Sequence, residues 1–285
     1  MATTIDSGTP RRRARSLATL AAAATLLAAA PRAVLATNVA DVKTRGRLIV
    51  LSYPDANNPF LARQANGSFD GVDVSILRSF AVSLGVSFEV RAIERFDDLL
   101  PSVVRGDGDI VAGGTSITPE REKSVDFSVP YFPVAIMVIA RRDSGIRTVE
   151  GIAGKRGAAV PGTTHAKFMR DMGISPSLDL ARSGDAYGAL QRNEADFAFV
   201  DSTSGVVSLD RFPGLAAVGM LPAADYYGFA VAPGSDLRLA LDHHLASIRR
   251  QGLLYKVFER HLGAKAVDLY ELFKKSTGGA PSRLP

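Results

Sequence analysis

The stretch GGTSITPEREKSVDFSVPYF, residues 113–132, contains two glycines, several hydroxyl side chains and Arg121, and it directly follows the short apolar run IVA, residues 110–112. A short apolar run bounded by turn residues predicts a buried strand, so Arg121 is expected on the loop that leaves it. In open α/β sheets, ligands bind outside the carboxyl ends of strands. The position of Arg121 therefore indicates a binding role, and the flanking sequence indicates the fold that presents it.

Strand and helix patterns alternate on both sides of this segment. Before it, the predicted elements are a strand at 47–51, a helix with an apolar stripe from Leu77 to Leu84, a strand at 86–92 and a helix at 96–104. After it, they are strands at 134–142, 155–160, 195–201 and 226–235, helices at 165–172 and 183–195, and two final helices broken at Gly252. This order predicts an α/β fold with mostly parallel sheets flanked by helices.

The first 36 residues have the pattern of an export signal. Four arginines precede the Ala-rich run 17–30, which is short for a bilayer span, and the small residues Val34 and Ala36 suit a signal peptidase. An uncleaved anchor and a buried Ala-rich helix are the alternatives, and both the Sec and the twin-arginine route stay open. We expect cleavage of residues 1–36 and a periplasmic protein.

Charge and composition exclude several classes of function. The chain carries a net charge of +5, and residues 1–36 hold five arginines and one aspartate, so the remainder is about +1. This balance gives no indication of nucleic acid binding. The chain has no cysteine and therefore no disulfide, and its four histidines lack metal-ligand spacing. We expect neither a metal nor a cofactor.

Three predicted strand ends carry complementary polar groups. Arg121 offers a planar guanidinium suited to a carboxylate. Thr163 and Thr164 open a helix whose N–H groups favour an anion, and Asp201 ends a strand with a carboxylate suited to an ammonium group. Further hydrogen bonds and close backbone approach are expected from small neighbours, namely Gly113, Gly114 and Ser116. The set suits a zwitterion such as a free α-amino acid.

The segment 113–132 resembles the signature of family 3 periplasmic solute-binding proteins, the polar amino-acid receptors of ABC importers. The resemblance covers about residues 45–263 and includes FDGVDVSILRSFAVSLGV, LLPSVVRGDGDIVAGG, GKRGAAVPGTT and ADFAFVD. It implies a two-lobed periplasmic-binding-protein fold of type II with two crossover hinge strands, near 132–136 and 225–230. The expected boundaries are lobe 1 at 37–133 and 228–265, lobe 2 at 134–227, and a C-terminal tail at 266–285.

The resemblance also implies residue roles. Arg121 is expected to hold the α-carboxylate, helped by the backbone around Ser116 and Thr164. Asp201 is expected to hold the α-amino group, with the backbone near Gly114 assisting. Two further residues concern the ligand side chain. Phe96 aligns with a position that packs on it, and Asn57 stands where the family has an aromatic residue, which predicts a more polar pocket wall.

The function implied is a receptor that closes on an amino acid and delivers it to an ABC permease in the inner membrane, as a monomer and without catalysis. The alternative is a cyclohexadienyl (prephenate or arogenate) dehydratase on the same scaffold. Such an enzyme needs a general acid in the cleft, and His165 or Asp55 would have to supply it. A sensory input domain is a third class, which the lack of a transmembrane or kinase segment in these residues disfavours.

Overall fold

The computed structural model describes residues 1–4, 36–55 and 57–276, and the residues from 36 onward fold around two β-sheets. The predicted export signal therefore lies almost wholly outside the described residues, as does the stretch 277–285. We call the part built on the first sheet lobe 1 and the part built on the second sheet lobe 2. Both lobes belong to the same compact unit of the chain.

The sheet of lobe 1 combines parallel and antiparallel pairings. Its strands, in spatial order, are β4 (Ser87–Ala92), β1 (Arg47–Ser52), β5 (Ile110–Ala112), β12 (Ala230–Val231) and β6 (Asp126–Phe127). β1 pairs in parallel with β4 and β5, whereas β12 pairs antiparallel with β5 and β6. The central strand β1 is buried along almost its whole length, as its continuous apolar sequence requires. A small antiparallel pair, β2 (Ala62–Arg63) and β3 (Phe69–Asp70), stands apart from this sheet.

The sheet of lobe 2 is mixed in the same way. Its strands, in spatial order, are β11 (Leu215–Tyr227), β7 (Phe132–Arg141), β10 (Phe197–Asp201), β8 (Gly157–Ala159) and β9 (Leu178–Asp179). β8 pairs in parallel with β9 and β10, whereas β7 pairs antiparallel with β10 and β11. The prediction of mostly parallel sheets is therefore too strong, because β12 in lobe 1 and β7 in lobe 2 both pair antiparallel with their neighbours.

Eight α-helices of the described chain cover these sheets. They are α1 (Val39–Arg45), α2 (Val72–Leu84), α3 (Leu99–Val104), α4 (Thr164–Asp171), α5 (Asp185–Gln191), α6 (Ser202–Ser208), α7 (Leu237–Arg250) and α8 (Leu253–Ser276). The predicted stripe of α2 buries Leu77, Phe80 and Ala81 completely. Gly85, with a φ of 73°, ends this helix in the left-handed conformation that favours glycine.

Two long strands connect the lobes. β7 and β11 pair antiparallel from Arg141 opposite Leu215 to Phe132 opposite Tyr227. At the latter end, Phe132 and Tyr227 are buried in the apolar core of lobe 1 together with Phe60, whose ring lies 4.8 Å from that of Tyr227. One end of this strand pair is thus buried in the core of lobe 1, while the rest belongs to the sheet of lobe 2. This is the arrangement expected of two crossover strands.

The last described helix, α8, extends into the range expected as a C-terminal tail. α8 continues to Ser276, with a kink at Gly263, where φ is 70° and ψ is 172°. The first eleven residues of the range 266–285 are therefore helical, and the rest of that range lies outside the described residues. Among the described residues, none of the helices combines the length and the apolar character needed to cross a membrane.

Candidate functional site

A cavity lies between the lobes, where the carboxyl ends of β1, β5, β8 and β10 meet. All nine residues that the sequence singled out for ligand binding line it: Asn57, Phe96, Gly113, Gly114, Ser116, Arg121, Thr163, Thr164 and Asp201. Lobe 1 supplies the first six and lobe 2 the last three. The structure thus brings these residues together, and what each does toward a ligand remains a prediction.

Arg121 is held by lobe 1. It opens a short 3-10 helix, Arg121–Lys123, within the connection from β5 to β6. Its Nη1 donates a hydrogen bond to the carbonyl oxygen of Ser116 at 2.8 Å. Its guanidinium carbon lies 5.3 Å from the centre of the Phe96 ring, within the range of a cation–π contact. Both contacts orient the guanidinium before any ligand arrives.

The glycine pair is oriented by a residue that the sequence analysis missed. The N–H groups of Gly113 and Gly114 donate to Asp73 Oδ2 at 2.7 and 3.0 Å, and Tyr131 Oη donates to Asp73 Oδ1 at 2.6 Å. Asp73 is fully buried in α2, and this burial raises its pKa to about 6. Asp73 therefore accepts both glycine N–H groups, and the predicted ligand role of Gly113 and Gly114 stays a prediction.

The carbonyl group of Gly113 in this glycine turn is also held in place by a hydrogen bond. Asn58 Nδ2 donates to the carbonyl oxygen of Gly113 at 2.8 Å. Gly114 has a φ of 73° and lies under the ring of Tyr227, so that an added Cβ would meet that ring at 3.2 Å. Glycine is therefore required at 114 both for the backbone conformation and for the close approach of an aromatic ring.

On lobe 2, Thr163 caps α4. Its Oγ1 accepts from the N–H of Ala166 at 3.2 Å and donates to the carbonyl oxygen of Val160 at 2.7 Å. The N–H of Thr163 itself donates to that carbonyl oxygen at 3.4 Å. The threonine is thus an N-cap, and the turn it holds presents the start of α4 to the cavity.

Asp201 and His165 form a pair in the lobe 2 wall. Asp201 is the last residue of β10 and the N-cap residue of α6, and its Oδ1 lies 3.1 Å from His165 Nε2. His165 is only 6% exposed and is therefore part of the buried wall of the cavity. Within the described ranges, no group of three or more histidine, aspartate or glutamate side chains is placed to hold a metal ion.

The cavity has an aromatic wall made of Phe96, which the sequence analysis identified, and Tyr53, which it did not. The rings of Tyr53 and Phe96 meet edge to face, with their centres 5.7 Å apart, and both line the cavity. Tyr53 comes one residue after β1, a position that the logic applied to Arg121 would have identified. Asn57 also lines the cavity, so a polar and an aromatic residue occupy this side together.

Contacts between the lobes surround the cavity. The N–H of Gly184 donates to Asp55 Oδ2 at 2.5 Å, and Arg211 Nη2 donates to Asn57 Oδ1 at 3.0 Å. Arg182 Nη1 donates to the carbonyl oxygen of Glu94 at 3.2 Å. The guanidinium carbon of Arg182 also lies 4.2 Å from the centre of the Tyr53 ring. The lobes are therefore closed on each other in this structure.

Comparison with known proteins gives a family match over most of the chain. The model of the bacterial extracellular solute-binding proteins, family 3, matches residues 49–264. The matched range contains the predicted site residues and both crossover strands. The resemblance inferred from the sequence is thereby confirmed.

Individual relatives carry two kinds of name. A putative ABC transporter arginine-binding protein 2 of Escherichia coli is 28% identical over 218 residues, which are 73% of this chain and 86% of that protein. A membrane-bound lytic murein transglycosylase F of Ectopseudomonas mendocina is 28% identical over 233 residues. The match covers 78% of this chain but only 47% of the transglycosylase, so the chain spans about half the length of that relative.

A solved structure supports the fold. A mutant of ArgBP from T. maritima superposes with a TM-score of 0.73 at 30% sequence identity, covering 78% of this chain and 98% of that one. The two-lobed α/β class predicted from the sequence is confirmed, with the correction that the sheets are mixed.

Proposed function

This chain belongs to the bacterial extracellular solute-binding proteins of family 3, and from that premise we propose that it binds a free amino acid between its lobes and delivers it to an ABC importer. The observation that carries the proposal is the placement of Arg121 on lobe 1 and Asp201 on lobe 2, both lining one cavity. A free amino acid has one carboxylate and one ammonium group. A ligand that pairs with both residues links the two lobes.

This link gives a mechanism for signalling occupancy. A ligand that contacts both lobes stabilises the closed form more than the open form, and the equilibrium shifts by that difference in affinity. β7 and β11 would absorb the change as hinges, and the permease would recognise the closed monomer. Delivery in the periplasm and the monomeric state belong to this proposal, together with the absence of catalysis.

We further propose that the ligand carries a basic side chain, with L-arginine as the first candidate. The relatives named for arginine binding support it. So does the cavity, because Tyr53 and Phe96 offer ring faces and Asp55, only 9% exposed, offers a carboxylate. Aromatic faces and a buried carboxylate both favour a cation.

Isothermal titration calorimetry and thermal melting test the proposal with the chain from residue 37 onward. A ligand at 100 times its dissociation constant stabilises the folded state by about 2.7 kcal/mol, which raises Tm by several degrees. We expect such a shift with L-arginine or L-lysine and none in Arg121→Ala or Asp201→Asn. The matched control is Arg105→Ala, an exposed arginine of lobe 1 that pairs with Asp107 and is absent from the cavity wall. Tight binding by Arg121→Ala would refute the assigned role.

The dehydratase remains a second candidate. The observation that keeps it is that His165 and Asp55, the two possible general acids, both line the cavity. The same melting series with prephenate and arogenate, followed by detection of the aromatic product, distinguishes it from the receptor. A turnover that is lost in His165→Gln would favour the enzyme.

A further inference from the structure

We propose that His165 is a positioning residue that orients the carboxylate of Asp201 and thereby determines how the site recognises the α-amino group of its ligand. The inference rests on the proposed function and deepens it. The family resemblance suggested the role of Asp201, whereas the sequence analysis named His165 only as a general acid of the dehydratase alternative and gave it no part in amino-acid binding. The starting observation is the 3.1 Å contact between His165 Nε2 and Asp201 Oδ1 in the cavity wall.

The histidine itself is held rigidly. It is the second residue of α4, directly after the turn that Thr163 caps, and the cap fixes the first turn of the helix through the N–H of Ala166. Its side chain is 8% exposed. A buried imidazole on a capped helix start has little rotamer freedom, so it is a firm support for a neighbouring carboxylate.

The chemistry of the pair fixes where the imidazole proton lies. An ionised carboxylate only accepts hydrogen bonds, so Nε2 must carry the hydrogen that it donates to Oδ1. Neutral His165 is then the Nε2–H tautomer and leaves the negative charge of Asp201 intact. That charge is what an ammonium group of a ligand requires.

The geometry also selects the atom that meets the ligand. Asp201 is more open than its partner, with 29% of its side chain exposed, and it lines the cavity. Because Oδ1 is engaged by His165, the carboxylate cannot rotate freely about its χ2 angle, and Oδ2 is the oxygen left to face an ammonium group. Pre-orienting a group in this way improves affinity by removing the cost of ordering it on binding.

The proposal therefore predicts an effect confined to one part of the ligand. Without the donor at 165, affinity for an α-amino acid should fall, whereas affinity for an analogue without the amino group should not change. The expected loss is about tenfold, which corresponds to the upper end of the cost of ordering one side chain on binding.

The experiment compares two ligands across three proteins by calorimetry. The ligands are L-arginine and its 2-hydroxy analogue, in which a hydroxyl replaces the α-amino group. The proteins are the unaltered chain, His165→Leu and His165→Gln, the last of which retains an N–H donor. We expect His165→Leu to lose about tenfold for L-arginine but less than twofold for the analogue, and His165→Gln to restore most of the loss. An equal loss for both ligands, or no loss for either, would overturn the proposal.

A second measurement needs no ligand and separates this inference from the proposed function. The side-chain nitrogen NMR signals of His165, assigned by their absence in His165→Gln, should report the Nε2–H tautomer in the ligand-free protein and should shift in Asp201→Ala. The Nδ1–H tautomer would overturn the proposal even if L-arginine binds. Conversely, a chain that shows the Nε2–H tautomer but binds no amino acid would retain the His165–Asp201 pairing and contradict the proposed function.

Discussion

Substituting Gly184 by alanine should weaken ligand binding without weakening the fold. Gly184 precedes α5 with a φ of −67° and a ψ of −17°, a conformation that alanine adopts readily. Its role is to let lobe 1 approach. A Cβ at this position would lie 2.4 Å from Asp55 Oδ1 and 2.5 Å from Asn57 Nδ2, both across the cleft. The substitution therefore acts on the closed form alone.

The size of the effect follows from these distances. Carbon atoms do not approach polar atoms to 2.5 Å, so the side chains of Asp55 and Asn57 must move away from the added Cβ, and the bond from the Gly184 N–H to Asp55, 2.5 Å in this structure, is lost or stretched. A hydrogen bond to a charged group contributes about 1.5–3 kcal/mol, which corresponds to an affinity loss of about 10- to 150-fold. The unfolded chain, in contrast, loses freedom, which stabilises the folded state by about 0.4–1 kcal/mol.

Three measurements separate the effects: calorimetry with the identified ligand gives the affinity, urea unfolding gives the stability, and small-angle scattering gives the degree of closure. The matched control is Gly214→Ala, because Gly214 is also in lobe 2 and an added Cβ there meets nothing within 4 Å. We expect Gly184→Ala to unfold at equal or higher urea, to bind at least tenfold more weakly and to remain more extended at a given ligand concentration. Unchanged affinity together with full compaction would refute the argument that Gly184 is the contact point of closure.

Three other predictions concern the aromatic wall and the buried titratable groups. Tyr53→Ala should weaken binding of L-arginine about tenfold, the scale of a desolvated cation–π contact, and Tyr53→Phe should not; calorimetry decides. Burial lowers the pKa of His244 and His261 below 6.5, so the unfolded chain binds more protons and stability falls as the pH drops through 6.5. Urea unfolding should show that the free energy of unfolding drops less between pH 7 and pH 5.5 in the double variant His244→Gln, His261→Gln than in the unaltered chain. An equal drop in both proteins would contradict this prediction. Burial raises the pKa of Asp73 from 3.8 to about 6, so the folded state retains a proton that the unfolded chain has lost, and stability falls by about 3 kcal/mol as the pH rises through that window. Urea unfolding across this pH range should show no such loss of stability in Asp73→Asn. A loss that persists in the variant would mean that another group causes it.

The sequence predicts the fold well where periodicity and burial agree. The strands 47–51 and 195–201 and the stripe of α2 lie where their patterns place them, because a continuous apolar run or a single apolar face can be buried in few ways. The antiparallel pairings are not visible in such patterns. β12 is two residues long, and its direction is set by the chain returning from lobe 2, a long-range constraint that local sequence does not carry.

The candidate site divides in a similar way. Arg121 and Asp201 could be found because each follows a strand end, a position with a known geometric meaning. Asp73 could not, because it lies in the first turn of α2, where an aspartate is expected merely to favour the helix N-terminus. Only the tertiary structure brings the N–H groups of Gly113 and Gly114 to it, together with the hydroxyl of Tyr131.

Asp55 illustrates why ligand recognition and closure are hard to separate in this cleft. Its Oδ2 accepts the N–H of Gly184 from lobe 2, while its Oδ1 accepts the N–H of Asn57 in its own loop at 2.8 Å. Removing Asp55 would therefore weaken closure even if the ligand never touched it, and a loss of affinity in Asp55→Ala would not identify a ligand contact. Gly184→Ala keeps the carboxylate and blocks only the approach of the lobes. We expect both variants to lose affinity. If only Asp55→Ala also loses the preference for basic over neutral amino acids, the Asp55 carboxylate both recognises the positive charge of the ligand side chain and holds the lobes together.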